Sequence, residues 1–240
     1  MSKSTVDQIR ARFDNDVARF SNLETGQSAT VDAPLVLDLI TTTAVSLLQK
    51  QRDIHLLDLG CGAGNYALKL VTQLPHADVT LIDLSQPMLA RAQERVGAVC
   101  EGTITAVQGD VRELELGENQ FDVIMAAAVL HHLREEAEWR AVFGKLYRAL
   151  KPGGSLWISD LVEHGHTAVQ TLMWQRYGDY LTGLKDEAYR EHVFAYIEQE
   201  DSPRPLLFQI DLLREVGFRE VEILHKNSVF AAFGGFKGSG

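Results

Sequence analysis

The stretch "HLLDLGCGAGNYALKL", residues 55–70, decides the fold. Three leucines (Leu56, Leu57, Leu59) flank Asp58, and glycines then fall at every second position (Gly60, Gly62, Gly64). A run at helical spacing follows, with Tyr66 and Leu70 on one face and Ala67 and Leu68 beside them. A short apolar run, glycine punctuation and a switch to helical periodicity read as strand, tight turn and helix. Glycines there let the backbone take positive φ and let a ligand lie against bare main chain, while the helix start presents unpaired N–H groups. The pattern calls for a nucleoside-type cofactor.

A dinucleotide-binding turn carries G-x-G-x-x-G. In this chain the third glycine comes one residue early, and Asn65 stands where that pattern has glycine. The G-x-G-x-G form behind an acidic strand end resembles motif I of the class I S-adenosylmethionine (SAM) methyltransferases, whose loop wraps the methionine part of SAM. Later segments extend the likeness. "ADVTLIDLSQPMLARAQERV" repeats the strand-to-helix arrangement, with Ser85 as N-cap and Pro87 in the first turn. Asp83 ends its strand about 20 residues past the glycine turn, where a carboxylate can accept hydrogen bonds from both ribose hydroxyls. "TITAVQGDVREL" is a third strand ending in Gly109, Asp110 and Val111. The resemblance implies that Asp110 accepts from the adenine amino group and that the Val111 backbone meets the ring; a simple turn aspartate is the alternative. "LKPGG" at 150–154, a helix stop before a strand, and "LLREVGFREVEIL" at 212–224 also resemble this family. The cofactor contacts implied are Asp58, Gly60, Cys61, Gly62, Asp83, Leu84, Met88, Asp110, Val111 and Ala126.

The family layout implies an α/β, Rossmann-like fold: a seven-stranded, mostly parallel sheet with helices on both faces, an N-terminal helical lid and a helical insertion between strands five and six. Residues 1–240 then form a single domain. Residues 3–20 set Val6, Ile9, Arg10, Phe13, Val17 and Phe20 near one face of a helix that packs on the core or closes over it. A polar linker (21–34) and a second amphipathic helix (35–51) lead to the glycine-rich strand. "FDVIMAAAVLHHL", residues 121–133, is the fourth strand, running through small alanines into His131 and His132 at the edge where open sheets bind ligands. His131 is placed to act as a general base or, alternatively, to cap or pack the next helix. Residues 163–205 are an aromatic-rich insertion in which Trp174, Tyr177 and Leu181 share one helix face. Tyr177 accordingly lines an acceptor pocket or packs the cap onto the core, and a homodimer contact is a further use of this segment.

Composition narrows the function. The 240 residues carry 33 acidic and 23 basic side chains, a net charge of −10 that disfavours a nucleic-acid backbone as partner. No apolar run reaches the ~18 residues of a membrane span. Cys61 and Cys100 make neither a disulfide framework nor a metal set, which suits reduced thiols and a cytoplasmic location. No metal-ligand set is visible in the pattern. The reading is methyl transfer from SAM to a small-molecule acceptor by in-line displacement, which needs alignment and water exclusion more than a catalytic triad. Two alternatives stand beside it. The layout is similar to the carboxy-SAM synthases of tRNA wobble-uridine modification, although Phe194 falls where those enzymes have a carboxylate-holding arginine (Arg190 lies one turn earlier) and Ala126 where they have asparagine. The other is a SAM-binding protein without catalysis.

Overall fold

The computed structural model of the protein describes residues 3–22, 27–48 and 53–239. Its strands are β1 (His55–Leu59), β2 (Asp78–Asp83), β3 (Ile104–Gln108), β4 (Phe121–Ala127), β5 (Leu150–Leu161), β6 (Val221–Asn227) and β7 (Phe230–Phe236). They form one sheet in the order β3-β2-β1-β4-β5-β7-β6, parallel except for β7, which runs against both neighbours. The helices are α1 (Val6–Asn15), α2 (Val17–Phe20), α3 (Ala33–Leu48), α4 (Asn65–Val71), α5 (Gln86–Gly97), α6 (Glu136–Ala149), α7 (Thr167–Leu184), α8 (Glu187–Glu200) and α9 (Leu206–Val216).

Both faces of the sheet are covered, which is why β1 reads as nearly continuous leucine. One face packs Leu57, Ile124 and Phe233 against Trp139, Phe143 and Leu213 of α6 and α9. The other packs Leu56, Leu81 and Met125 against residues of α3, α4 and α5. The order reverses between β1 and β4, and the carboxyl ends of those two strands open the crevice in which ligands of such sheets sit. The insertion folds as α7 and α8, with a small core of its own made by Tyr177, Leu181, Val193 and Ile197 with Val31, Leu161 and Val229.

Three expectations change. The N-terminal helix is broken: Asp16 is non-helical (φ −102, ψ 9) and its N–H turns back to Phe13 O. In one straight helix Phe13 and Phe20 would stand about 10 Å apart; the break brings their rings to 5.8 Å. The "LKPGG" segment is not a turn ahead of its strand. The chain becomes extended at Leu150, which pairs with Phe121, and the register shifts between Phe121 and Val123. Proline, which cannot donate to the ladder, is tolerated at such an irregularity. The second helix starts at Ala33 rather than 35, and its expected tail at 49–51, like residues 23–26 of the linker, lies outside the described residues.

Candidate active site

The turn from β1 to α4 uses its glycines for different reasons. Gly60 has φ +64, and a Cβ there would meet Val129 Cγ2 at 2.6 Å. Gly62 has φ +49, yet a Cβ on it would meet nothing within 4 Å, so the space above it is cavity. That cavity is walled by Asp58, Gly60, Cys61, Gly62, Asp83, Leu84, Met88, Asp110 and Val111. Ala126 is the exception and a correction: it is fully buried among the core side chains of the α6/α9 face, and Ala127 and Ala128 line the cavity instead. Alternation along β4 turns Ala126 away from the crevice. Ala128 holds the left-handed region at φ 53, with its N–H donating to Ser159 O at 2.8 Å; such a conformation is found where a site fixes it.

Asp83 fixes this loop as well as facing the cavity. Its Oδ2 accepts the Gly62 N–H and its Oδ1 the Ser85 N–H, each at 2.8 Å. Burial raises its carboxyl above the ordinary value, and these N–H groups oppose the shift. Asp58 is buried and accepts the Ala67 N–H at 3.0 Å; burial pushes its carboxyl up to about 7. Burial likewise pushes the Cys61 thiol up, leaving it un-ionised and unreactive. The Asp110 carboxylate is engaged by Arg112, whose Nε lies 3.0 Å from both oxygens and whose N–H lies 2.9 Å from Oδ1. Arg112 also reaches Glu138 at 3.1 Å. The side chain of Asp110 is thus a turn and ion-pair group already, with little acceptor capacity left over.

A second cavity of about 470 Å³, within the range of small-molecule sites, adjoins the first. Phe13, Phe20, Tyr66, Ala127 and Ala128 wall both. Tyr66 is buried, its hydroxyl bonded to Ser159, and burial raises its pKa so that it stays a phenol. Tyr177 lines this second cavity and is also central to the cap core: it is 2% exposed, its hydroxyl donates to Ala29 O at 3.0 Å, and its ring meets Phe230 at 5.1 Å. Tyr177 therefore stands in a cavity wall and in the cap core at once.

His131 lies in this cavity wall, on a 3₁₀ turn formed by Leu130–His132. Its Nδ1 is bonded to Asp160 Oδ1, while Asp160 Oδ2 accepts the N–H groups of Leu130 and His131 at 2.9 and 3.2 Å. Its Nε2 is 3.6 Å from Asp201 Oδ1. Burial opposes the charged ring, but the carboxylates of Asp160 and Asp201 outweigh it and lift His131 to about 9. At neutral pH the ring holds its proton, which is not the resting state of a general base. His132, beside it, is half-buried against Phe13 and is held well below the ordinary histidine value, first by desolvation and then by the charge on His131.

Sequence reasoning missed several wall residues. Phe13 and Phe20 were visible as an apolar face, but only the kink at Asp16 shows that they reach the cavities. Asp160 and Asp201 gave no signal, because one is a single acidic residue at the end of a strand and the other the last of a polar, acidic run (Glu198, Gln199, Glu200), and each becomes special only beside His131.

A family model described as "Methyltransferase domain" matches residues 56–154. The carboxy-S-adenosyl-L-methionine synthase of Chromohalobacter salexigens is 32% identical over 188 residues, covering 76% of this chain and 68% of that protein. The demethylmenaquinone methyltransferase of Chlamydia trachomatis is 33% identical over 162 residues, covering 68% of this chain and 67% of that one. The chain belongs to the class I SAM-dependent methyltransferases. Among solved structures, phosphoethanolamine N-methyltransferase 2 of Haemonchus contortus, in complex with phosphomonomethylethanolamine and S-adenosylhomocysteine, shares the fold at a TM-score of 0.64 and 22% identity. The match covers 92% of this chain and 46% of that one, so this chain spans about half of the Haemonchus contortus protein.

SAM is the cofactor of this family, and the first cavity fits it. The open space over Gly62 admits a ligand against the backbone, Asp58 offers a buried carboxylate with no ion pair competing for it among the described residues, and Asp83, at the end of β2, stands in the same wall.

Proposed function

We propose that this protein transfers a methyl group from SAM to a small-molecule acceptor bound in the second cavity. The observation that carries this reading is the wall the two cavities share, through Phe13, Phe20, Tyr66, Ala127 and Ala128. Bound SAM supplies an electrophilic methyl on a sulfonium. The protein's own part is to hold the cofactor and seat the acceptor in line with it, away from water.

Asp58 suits the ammonium of the methionine moiety, because a buried carboxyl pushed up to about 7 gains most from a cation. Asp83 takes the ribose hydroxyls while anchoring Gly62, and the Val111 backbone meets the adenine ring; Asp110 contributes more through its turn than through its carboxylate. Around the acceptor, Phe13 and Phe20 exclude water from one side, while His131 and Tyr177 face the second cavity. In a metal-free protein His131 accepts a proton only after giving up its own, so activity that depended on it as a base would rise with pH toward about 9.

The carboxy-SAM alternative is less well supported. Phe194 packs on Trp174 in the cap, ring centroids 5.2 Å apart, and Arg190 lies over Phe194 rather than in either cavity wall. A single-domain organisation with residues 1–50 and 163–205 as lid and cap, a cytoplasmic location, and a homodimer contact through exposed Leu172 and Leu184 of α7 belong to the same proposal.

Calorimetry tests it. SAM and S-adenosylhomocysteine should bind in the micromolar range and NAD should not; NAD binding without SAM binding would overturn the assignment. Mass spectrometry of the ligand released on denaturation should find SAM or its demethylated product, and carboxy-SAM as the main species would favour the alternative.

A further inference from the structure

Two histidines and an aspartate converge where the two cavities meet. His131 and His132 lie side by side, ring centroids 4.4 Å apart, and the residue after α8 brings Asp201 against both. Asp201 Oδ1 is 3.6 Å from His131 Nε2 and 3.4 Å from His132 Nδ1. One donor atom from each of the three lies within 4.8 Å of the others. Ligand atoms about 2.0–2.2 Å from a metal stand roughly 3–4 Å from one another, so this spacing accepts a cation with little movement.

The surroundings favour a cation over an isolated ion pair. His131 gives its Nδ1 to Asp160, which leaves Nε2 directed toward Asp201; a carboxylate behind an imidazole is the arrangement that orients metal-ligating histidines. Asp201 is 4% exposed, and its Oδ1 and the Nδ1 of His132 have no hydrogen-bond partner among the described residues. Buried polar atoms without partners are costly and call for an explanation. The charge points the same way. Asp160 and Asp201 are two buried carboxylates whose ion pairs among the described residues are with these histidines, while the nearby Arg12 is committed to Glu200 at 2.8 Å.

We propose that His131 Nε2, His132 Nδ1 and Asp201 hold one divalent transition cation, and that the acceptor is a compound that ligates it through oxygen. The donor set of two imidazoles and one carboxylate suits Zn²⁺, Co²⁺, Fe²⁺ or Mn²⁺ better than Mg²⁺. Three protein ligands leave coordination positions for a further group, and His131 and Asp201 are themselves in the acceptor wall. A hydroxyl bound there is acidified and fixed in place. This assignment rests on the methyl-transfer reading for its substrate class, but the site itself does not need it. It also gives His131 a role in which its second nitrogen ligates rather than carries a proton.

The test uses the full-length protein stripped with a chelator, then titrated separately with Co²⁺, Zn²⁺ and Mg²⁺ by calorimetry, with Co²⁺ also followed by its visible absorption. One Co²⁺ or Zn²⁺ per chain is expected, with Mg²⁺ much weaker. Asp201→Asn and His132→Gln should each weaken Co²⁺ binding by at least the roughly 10–100-fold seen when a supporting group is lost. His76→Gln, on the surface beside Glu101, should bind Co²⁺ as the parent does. Each variant is checked for folding by its thermal midpoint. Absence of stoichiometric cation binding, or binding that Asp201→Asn and His132→Gln leave unchanged, overturns the site. SAM titration of the same protein separates the two claims: SAM binding together with failure to bind any added cation removes this inference and keeps the methyltransferase reading, whereas a cation bound as expected with no SAM binding removes the reading and keeps the site.

Discussion

The two cavities share a wall but are assembled differently. The first cavity comes mostly from the ends of β1, β2, β3 and β4 and the turns after them, with Phe13, Phe20 and Gln27 added from the N-terminal segment. The second cavity gathers Arg12, Tyr66, His131, Asp160, Tyr177, Tyr196, Asp201 and Phe230 from nearly the whole length of the chain. The first depends on strand-to-helix turns whose chemistry is local. The second depends on how the cap and the N-terminal helices dock, through contacts such as Arg12 with Glu200 and the Ser4 N–H with Gln199 O at 3.1 Å. Damage to the first should therefore show in ligand affinity, and damage to the second in stability or acceptor use.

The sharpest contrast is expected at Tyr177. Replacing it with Ala removes a ring buried among Trp174, Phe194 and Phe230 and should cost about 3–5 kcal/mol in a denaturant titration, while the folded fraction keeps its SAM affinity. Tyr177→Phe loses only the bond to Ala29 and should cost about 1 kcal/mol. A Tyr177→Ala protein as stable as the parent would mean that the cap is not held by this core.

A pH series probes the other region. The Asp58 carboxyl sits at about 7 in the folded protein against 3.8 ordinarily, so between those values the folded state keeps a proton that the unfolded chain has released. Its contribution to stability is fully present below the unfolded value and is lost as pH rises through the folded one. SAM, through its ammonium, should bind better as pH rises through the same window and restore part of that stability. Asp58→Asn should flatten both trends; trends that persist in this variant would place the effect in the His131 cluster.

Asp83→Ala should weaken SAM by about 1.5–3 kcal/mol, at least tenfold, from lost charge-assisted hydrogen bonds, and it also releases the Gly62 N–H. Unchanged affinity would put the ribose elsewhere. The smallest effect is expected at Asp110: with its carboxylate occupied by Arg112, Asp110→Asn should change SAM affinity by less than about 1 kcal/mol. A loss as large as that of Asp83→Ala would show that the carboxylate leaves Arg112 to meet adenine.

Much of this molecule was determined by sequence alone. The β1 leucines, the glycines at alternate positions and Ser85 before Pro87 encode strand, turn and capped helix through backbone sterics and hydrogen bonding between near neighbours, so the residues that wall the first cavity were largely legible, with Ala127 lining it where Ala126 was expected. Tertiary structure alone decided the rest. The break at Asp16, the double use of Tyr177 and the meeting of His131 with Asp160 and Asp201, 29 and 70 residues further along, arise from docking of surfaces far apart in the chain. No periodicity records which side chains such docking will bring together, or which of them it will leave buried with their charge to be matched.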